Sequence, residues 1–183
     1  MLKVDLKPLD DTDLPILLAW AHIPEIWRYL PTSRQNEKLT WDDHNKWFYF
    51  KRNNRFDWLI LVDDRKWKSR PVGVVHAVEV NREYPEVGLY IGDTNLWGKF
   101  GIGRKALGLV MERIVYYSYI KGLHAVIHPE NKKSIRLFTN FGFIKIGKAR
   151  EGQELYEYTF NRPEVAIPLN QEGDRLSYQQ SPA

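Results

Sequence analysis

The chain has 183 residues, enough for one domain with a self-sufficient core, and its 43% apolar and 27% charged residues are the balance of a globular protein, excluding a fibrous or wholly disordered one. It has no cysteine, which excludes a disulfide framework, a thiolate metal site and a cysteine nucleophile; with no membrane-length apolar run and no signal-like stretch at Met1–Asp5, the expected location is cytoplasmic. The net charge of +4 is scattered rather than gathered in a stripe, so neither nucleic acid nor a membrane is an expected partner.

Leu2, Val4 and Leu6 alternate with charged residues, the period of a half-buried strand. Asp10, Asp11 and Thr12 offer capping groups to a helix whose apolar face is Leu14, Leu17, Leu18 and Ala21, with Pro15 tolerated in the first turn. Pro24 restarts a short helical stretch through Ile26, Trp27 and Leu30, closed by Pro31. Thr40 and Asp43 have capping-box spacing ahead of an aromatic helix with Trp41, His44, Trp47 and Phe48. Residues 58–62, 72–78 and 87–91 read as three strands of a meander, the basic run Arg65 to Arg70 forming a loop tip between the first two. After Gly103, the residues Ala106, Leu107, Val110, Met111, Ile114 and Val115 mark one helix face, with its end predicted at Lys121-Gly122. His124 to Ile127 is a short strand, Asn131 caps a helix that Gly142 stops, and residues 143–147 and 155–160 are two last strands joined at Glu151-Gly152. The order gives an α/β (α+β) domain over residues 1–162, with residues 163–183, poor in large apolar groups, as a flexible C-terminal tail.

One junction carries chemistry. The strand ending Leu89-Tyr90-Ile91 runs into the long helix through Trp97-Gly98-Lys99-Phe100-Gly101-Ile102-Gly103-Arg104, which turns helix-start N–H groups outward as an anion site, with Lys99, Arg104 and Lys105 adding charge. Glycine there lets a phosphate approach the backbone. The pattern lacks the third glycine of the dinucleotide fingerprint and the Gly-Lys-Ser/Thr of a P-loop, and alone it is a generic helix start.

Two segments in this order resemble the GNAT acetyltransferases. Gly101-Ile102-Gly103 matches the glycine pair of that family's strand-to-helix motif, and His128 to Phe143, an Asn opening a helix that ends in Gly-Phe, is similar to its second signature. The resemblance covers about Leu2 to Phe160 and implies a mixed, mainly antiparallel central sheet flanked by helices and splayed at the cofactor strand. It implies acetyl-CoA as acetyl donor without a metal. The pantetheine arm would pair with backbone of Leu89, Tyr90 and Ile91, and the pyrophosphate would sit on Phe100, Gly101, Ile102, Gly103 and Arg104, with Lys99 beside it. Asn131 and Ser134 would reach the arm, and the Ile91 N–H would polarise the acetyl carbonyl.

Glu86 is the first choice of base for the acceptor amine, at a position where the ribosomal-protein N-terminal acetyltransferase branch carries Glu; its alternative is a solvent-facing strand-end carboxylate. Glu79 and Asp93 follow, and His44 and His76 are further candidates. The chain departs from the family at Gly98, where Gln or Arg is usual, at Phe100, which reads as an insertion, and at Phe138, where many members carry a proton-donating Tyr; Tyr90 and Ser134 are the substitutes considered. The Trp20–Tyr29 segment and the Trp41–Trp47 helix would shape the acceptor cleft; the Asp-Leu-x-x-Leu-x-x-Trp-like opening resembles aminoglycoside acetyltransferases, and the His44-x-x-Trp47 spacing resembles flagellin amino-sugar acetyltransferases. The acceptor is expected to be a primary amine, on an amino sugar, an aminoglycoside-like molecule or a protein N terminus. A catalytically silent acyl-CoA-binding module is the alternative, and a homodimer stays open.

Overall fold

The computed structural model describes residues 2–29, 39–50, 53–63 and 68–161. The expected helix end at Leu30-Pro31, most of the basic loop tip and the 163–183 tail lie outside them. The alternation of Leu2, Val4 and Leu6 forms β1 (Lys3–Pro8), with Leu6 buried. Asp10 then begins a capping box with Asp13, each side chain accepting from the other's backbone N–H or its neighbour's, which leads through a short 3-10 turn into α1 (Leu14–Ala21). Pro15 falls in the first turn of α1, where its missing N–H leaves no bond unmade. The second restart is α2 (Pro24–Trp27), and α3 (Trp41–Phe50) opens on the predicted box: Asp43 N–H donates to Thr40 Oγ1 at 3.2 Å and Thr40 N–H to Asp43 Oδ2 at 3.0 Å.

The meander is β2 (Arg55–Asp63), β3 (Arg70–Val78) and β4 (Glu86–Ile91), followed by α4 (Ile102–Ile114), β5 (Gly122–Ile127), α5 (Lys132–Thr139), β6 (Ile144–Lys148) and β7 (Glu154–Thr159). Among the described residues seven strands form one sheet in the order β1-β2-β3-β4-β5-β7-β6. Every neighbouring pair is antiparallel except β4 and β5, which run parallel and meet at Glu86 opposite His124. Beyond that row the two strands part.

Period-two alternation sends side chains to two faces. On one, Trp58, Ile60, Val75, Ala77 and Val87 meet Ile102, Ala106, Leu107, Val110 and Ile114 of α4 in the main core. Each of the larger of these side chains contributes about 1.5–3 kcal/mol by leaving water. On the other, Leu59 and Val74 pack under Leu17 and Trp20 of α1 and Trp47 and Phe48 of α3. Over β5 and β7 this second face stays half-exposed at His124, Val126, Leu155 and Glu157.

One boundary differs from expectation. The long helix ends at Ile114 rather than Lys121, and the chain continues in turns closed by Tyr117 N–H to Ile114 O and Ile120 N–H to Tyr117 O, both 3.0 Å. The run Val115-Tyr116-Tyr117-Ser118-Tyr119 is weakly helix-forming, because branched and aromatic side chains lose rotamer freedom against the preceding turn. Gly122 accordingly stops no helix; it is the first residue of β5, with Tyr84 lying against its α-carbon.

Candidate functional site

The strand-to-helix junction is an open glycine loop at a helix start. Gly98 (φ 71°), Phe100 (φ 58°) and Gly101 (φ 64°) all take left-handed backbone, which lifts the chain into an open loop before α4. Among the described residues the N–H groups of Phe100, Gly101, Gly103 and Arg104 make no hydrogen bond, and a Cβ built on Gly98 or Gly101 would meet nothing within 4 Å. Unpaired N–H groups at the positive end of a thirteen-residue helix, facing open space, suit a phosphate. Of the nearby cations, Arg104 lies over the Phe141 ring at 5.4 Å and Lys105 Nζ donates to the Leu2 carbonyl at 2.8 Å. Lys105 is therefore a tie to β1, while Lys99 has no ion pair among the described residues.

The splay supplies a second element. Gly92 N–H donates to Val72 O at 2.8 Å, so along β4 the backbone groups of Tyr90 and Gly88 turn toward β3, while those of Leu89 and Ile91 turn toward β5, from which β4 has parted. That edge is a bare strip of donors and acceptors into which an extended amide chain fits. The Ile91 carbonyl is already used by Trp97 Nε1 at 2.7 Å, leaving its N–H. Tyr90 corrects the expectation: its backbone belongs to β3 and its ring to the other face, against Trp20 (centroids 6.1 Å) and Trp27 (5.1 Å), where burial pushes the phenol pKa up. Asn131 caps α5, its Oδ1 accepting the Ser134 N–H at 3.2 Å, so its amide nitrogen is what remains for a ligand. Ser134 sits half-buried in the same turn.

On the second face Glu86 lines a cavity of about 470 Å³ together with Tyr84, His124, Val126 and Leu155. Its carboxylate is not free: Arg150 Nη2 donates to both oxygens, at 3.0 and 3.2 Å, reaching from the β6–β7 turn where Glu151 (φ 51°) and Gly152 (φ 76°) fold the chain back. Glu79 stands on the rim, paired with Arg82 at 2.9 Å. Asp93 is taken up by structure, pairing with Arg70 and accepting the Asn95 N–H at 3.1 Å. His76 lies over Gly88, where a Cβ would fall 2.7 Å from Nε2; burial, with the Arg55 charge second, lowers its pKa to about 4, so it stays neutral and is a poor proton acceptor at neutral pH. His44 is buried beside Trp47, and burial lowers its pKa too. The structure also brings His124, Glu157 and Arg150 to this site, residues that carry no signal in the sequence beyond their strand and turn positions.

The acetyltransferase (GNAT) domain family matches residues 3–144. The chain belongs to the GNAT acetyltransferase family. It is 38% identical over 155 residues to the uncharacterized protein MJ1062 of Methanocaldococcus jannaschii, a match that covers 85% of this chain but 31% of that protein. Among solved structures, a domain from M. jannaschii DSM 2661 is 36% identical with a TM-score of 0.80, covering 87% of this chain and all of that one. Aminoglycoside acetyltransferase AAC(6')-Ib in complex with coenzyme A and kanamycin shares the fold at a TM-score of 0.71 and 14% identity, over 86% of this chain and 95% of that one.

Within this GNAT domain Phe138 is a core residue, 4% exposed and set edge-on to Phe143 at 5.0 Å. The side chain at the position of the family's usual proton donor thus belongs to packing. Among the described residues no His, Asp or Glu cluster suits a metal, and no helix is long and apolar enough to cross a membrane.

Proposed function

We propose that this chain is an acetyl-CoA-dependent N-acetyltransferase acting on a primary amine of a polar small molecule, of the amino-sugar or aminoglycoside kind. The observation that carries the reading is continuity: the bare β4 edge at Leu89 and Ile91 leads into the unpaired amides of Phe100, Gly101, Gly103 and Arg104, so one extended thioester cofactor can lay its amide arm on the first and its pyrophosphate on the second. The Ile91 N–H lies on that edge, and in this reading it polarises the acyl carbonyl. Across the sheet, the half-exposed rings of Trp27 and Tyr90 and the Glu86 cavity offer an apolar wall and a polar floor, which suit a sugar carrying an amine. The bound kanamycin of the AAC(6')-Ib relative supports the same acceptor class.

The test is direct. Calorimetry with acetyl-CoA and CoA is expected to give saturable binding to both, and a panel of amino sugars, aminoglycosides and N-terminal peptides is expected to release CoA thiol with at least one member. Absence of binding overturns the proposal. A catalytically silent acyl-CoA-binding module is the second reading, favoured by the buried Phe138; turnover of any amine removes it.

A further inference from the structure

The parallel pairing of β4 with β5 sets Glu86 beside His124, and the antiparallel pairing of β5 with β7 sets His124 beside Glu157. Side chains at paired positions share a face, so one lateral row reads Glu157, His124, Glu86, with Arg150 closing it from the β6–β7 turn. His124 Nε2 donates to Glu157 Oε2 at 2.9 Å. A carboxylate can only accept, so the ring proton resides on Nε2 and the lone pair on Nδ1, which has no partner among the described residues. Tyr84 stacks flat on the imidazole at 5.2 Å and fixes its plane, and the ring opens on the 470 Å³ cavity.

The other histidines lack this arrangement. His128 Nδ1 accepts the Glu130 N–H, His22 Nε2 meets the Leu39 carbonyl, and His76 and His44 are held neutral by burial. Glu86 spends both oxygens on Arg150. We infer that His124, oriented by Glu157, is the group that takes the proton of the acceptor ammonium through the water of this cavity, and that Glu86 with Arg150 holds a polar end of the acceptor at the row. This rests on the acetyltransferase reading of the site. A proton passes from the ammonium nitrogen through water to Nδ1, leaving its electron pair on nitrogen, and the imidazolium is stabilised by Glu157 until it releases the proton to solvent. The freed pair forms the bond to the acetyl carbon while the carbon–sulfur pair leaves with sulfur, and the nitrogen's surplus proton passes through water. The charged and titratable groups facing the ring are Glu157 from β7, Glu86 with its Arg150 from β4, and Tyr84, with Glu83 and Arg82 on the cavity rim.

The test uses the whole chain and the variants His124→Gln and Glu157→Gln. Acetyl-CoA affinity by calorimetry is expected to be unchanged in both. At pH 7 kcat/KM for a responsive amine is expected to fall about 100-fold in His124→Gln, the usual scale of a general base, and the deficit to close toward pH 10, where the amine deprotonates unaided. Nitrogen-15 NMR of the parent is expected to show the His124 proton on Nε2, and Glu157→Gln to mix the two tautomers. A His124→Gln rate within about threefold of the parent at pH 7 overturns the inference, as does a parent ring protonated on Nδ1, threefold being well below the general-base scale. If the parent fails to bind acetyl-CoA, the acetyltransferase reading falls instead, and this inference with it.

Discussion

Gly101 allows charge and backbone effects to be separated at the proposed anion site. Its φ of 64° is left-handed, where a non-glycine residue is strained, but asparagine and aspartate tolerate that conformation comparably. A Cβ at Gly101 has open space around it, so neither Gly101→Asn nor Gly101→Asp clashes with the protein. Both should cost a similar ~1 kcal/mol of stability. They differ by one negative charge pointing toward the proposed pyrophosphate. At about 5 Å and an effective dielectric between 20 and 80, one unit charge is worth roughly 1 to 3 kcal/mol, or about 5- to 150-fold in affinity. Calorimetry with acetyl-CoA is expected to show Gly101→Asp weaker than Gly101→Asn by that factor, with the gap narrowing as salt is raised. Equal affinities of the two variants at low salt would refute an anion at this helix start.

Glu86→Gln keeps the shape of the residue but loses the Arg150 ion pair; turnover of a responsive amine is expected to fall by about tenfold, the scale of one lost charged hydrogen bond to the acceptor, with acetyl-CoA affinity unchanged by calorimetry. Phe138→Tyr would place a hydroxyl in the core against Phe143, lowering stability by about 1–3 kcal/mol in urea unfolding without raising turnover. His76 has a folded pKa of about 4 against 6.5 for the free, solvent-exposed side chain, so below pH 6.5 the unfolded chain takes up a proton that the folded chain refuses. Its contribution is whole above 6.5 and is lost as pH falls toward 4, by up to about 3 kcal/mol; urea midpoints should decline less steeply in His76→Asn, and parallel curves would count against the shift. Trp20→Ala empties the site beneath α1 and removes one of the two ring partners of Tyr90, which should cost about 3–5 kcal/mol by thermal or urea unfolding.

The strand and helix sequence was legible because its signals are local: the Thr40–Asp43 box, the Asn131 cap and the Gly142 stop each act within a few residues and reappear where expected. The glycine turn ahead of α4 was legible for the same reason. What sequence order conceals is lateral adjacency. Glu157 follows His124 by thirty-three residues and Arg150 follows Glu86 by sixty-four, and they meet because β7 inserts between β5 and β6. Tyr90 misled for a related reason, since a strand residue's parity decides whether its amide faces one neighbour or the other, and only the register with β3 shows that. The end of α4 was misplaced because a glycine after a lysine resembles a stop signal, while the preceding tyrosines had already weakened the helix.

The single pair joining β4 to β5 divides the sheet into a four-strand ribbon and a three-strand ribbon that share a helix-covered core but almost no backbone ladder. Such ribbons need not open together; amides at the junction should exchange with deuterium sooner than those inside either ribbon. Any molecule seated along Leu89 and Ile91 then acts as a missing rung, and mass action makes it a stabiliser of the whole chain, worth about 2.7 kcal/mol at a hundred times its Kd.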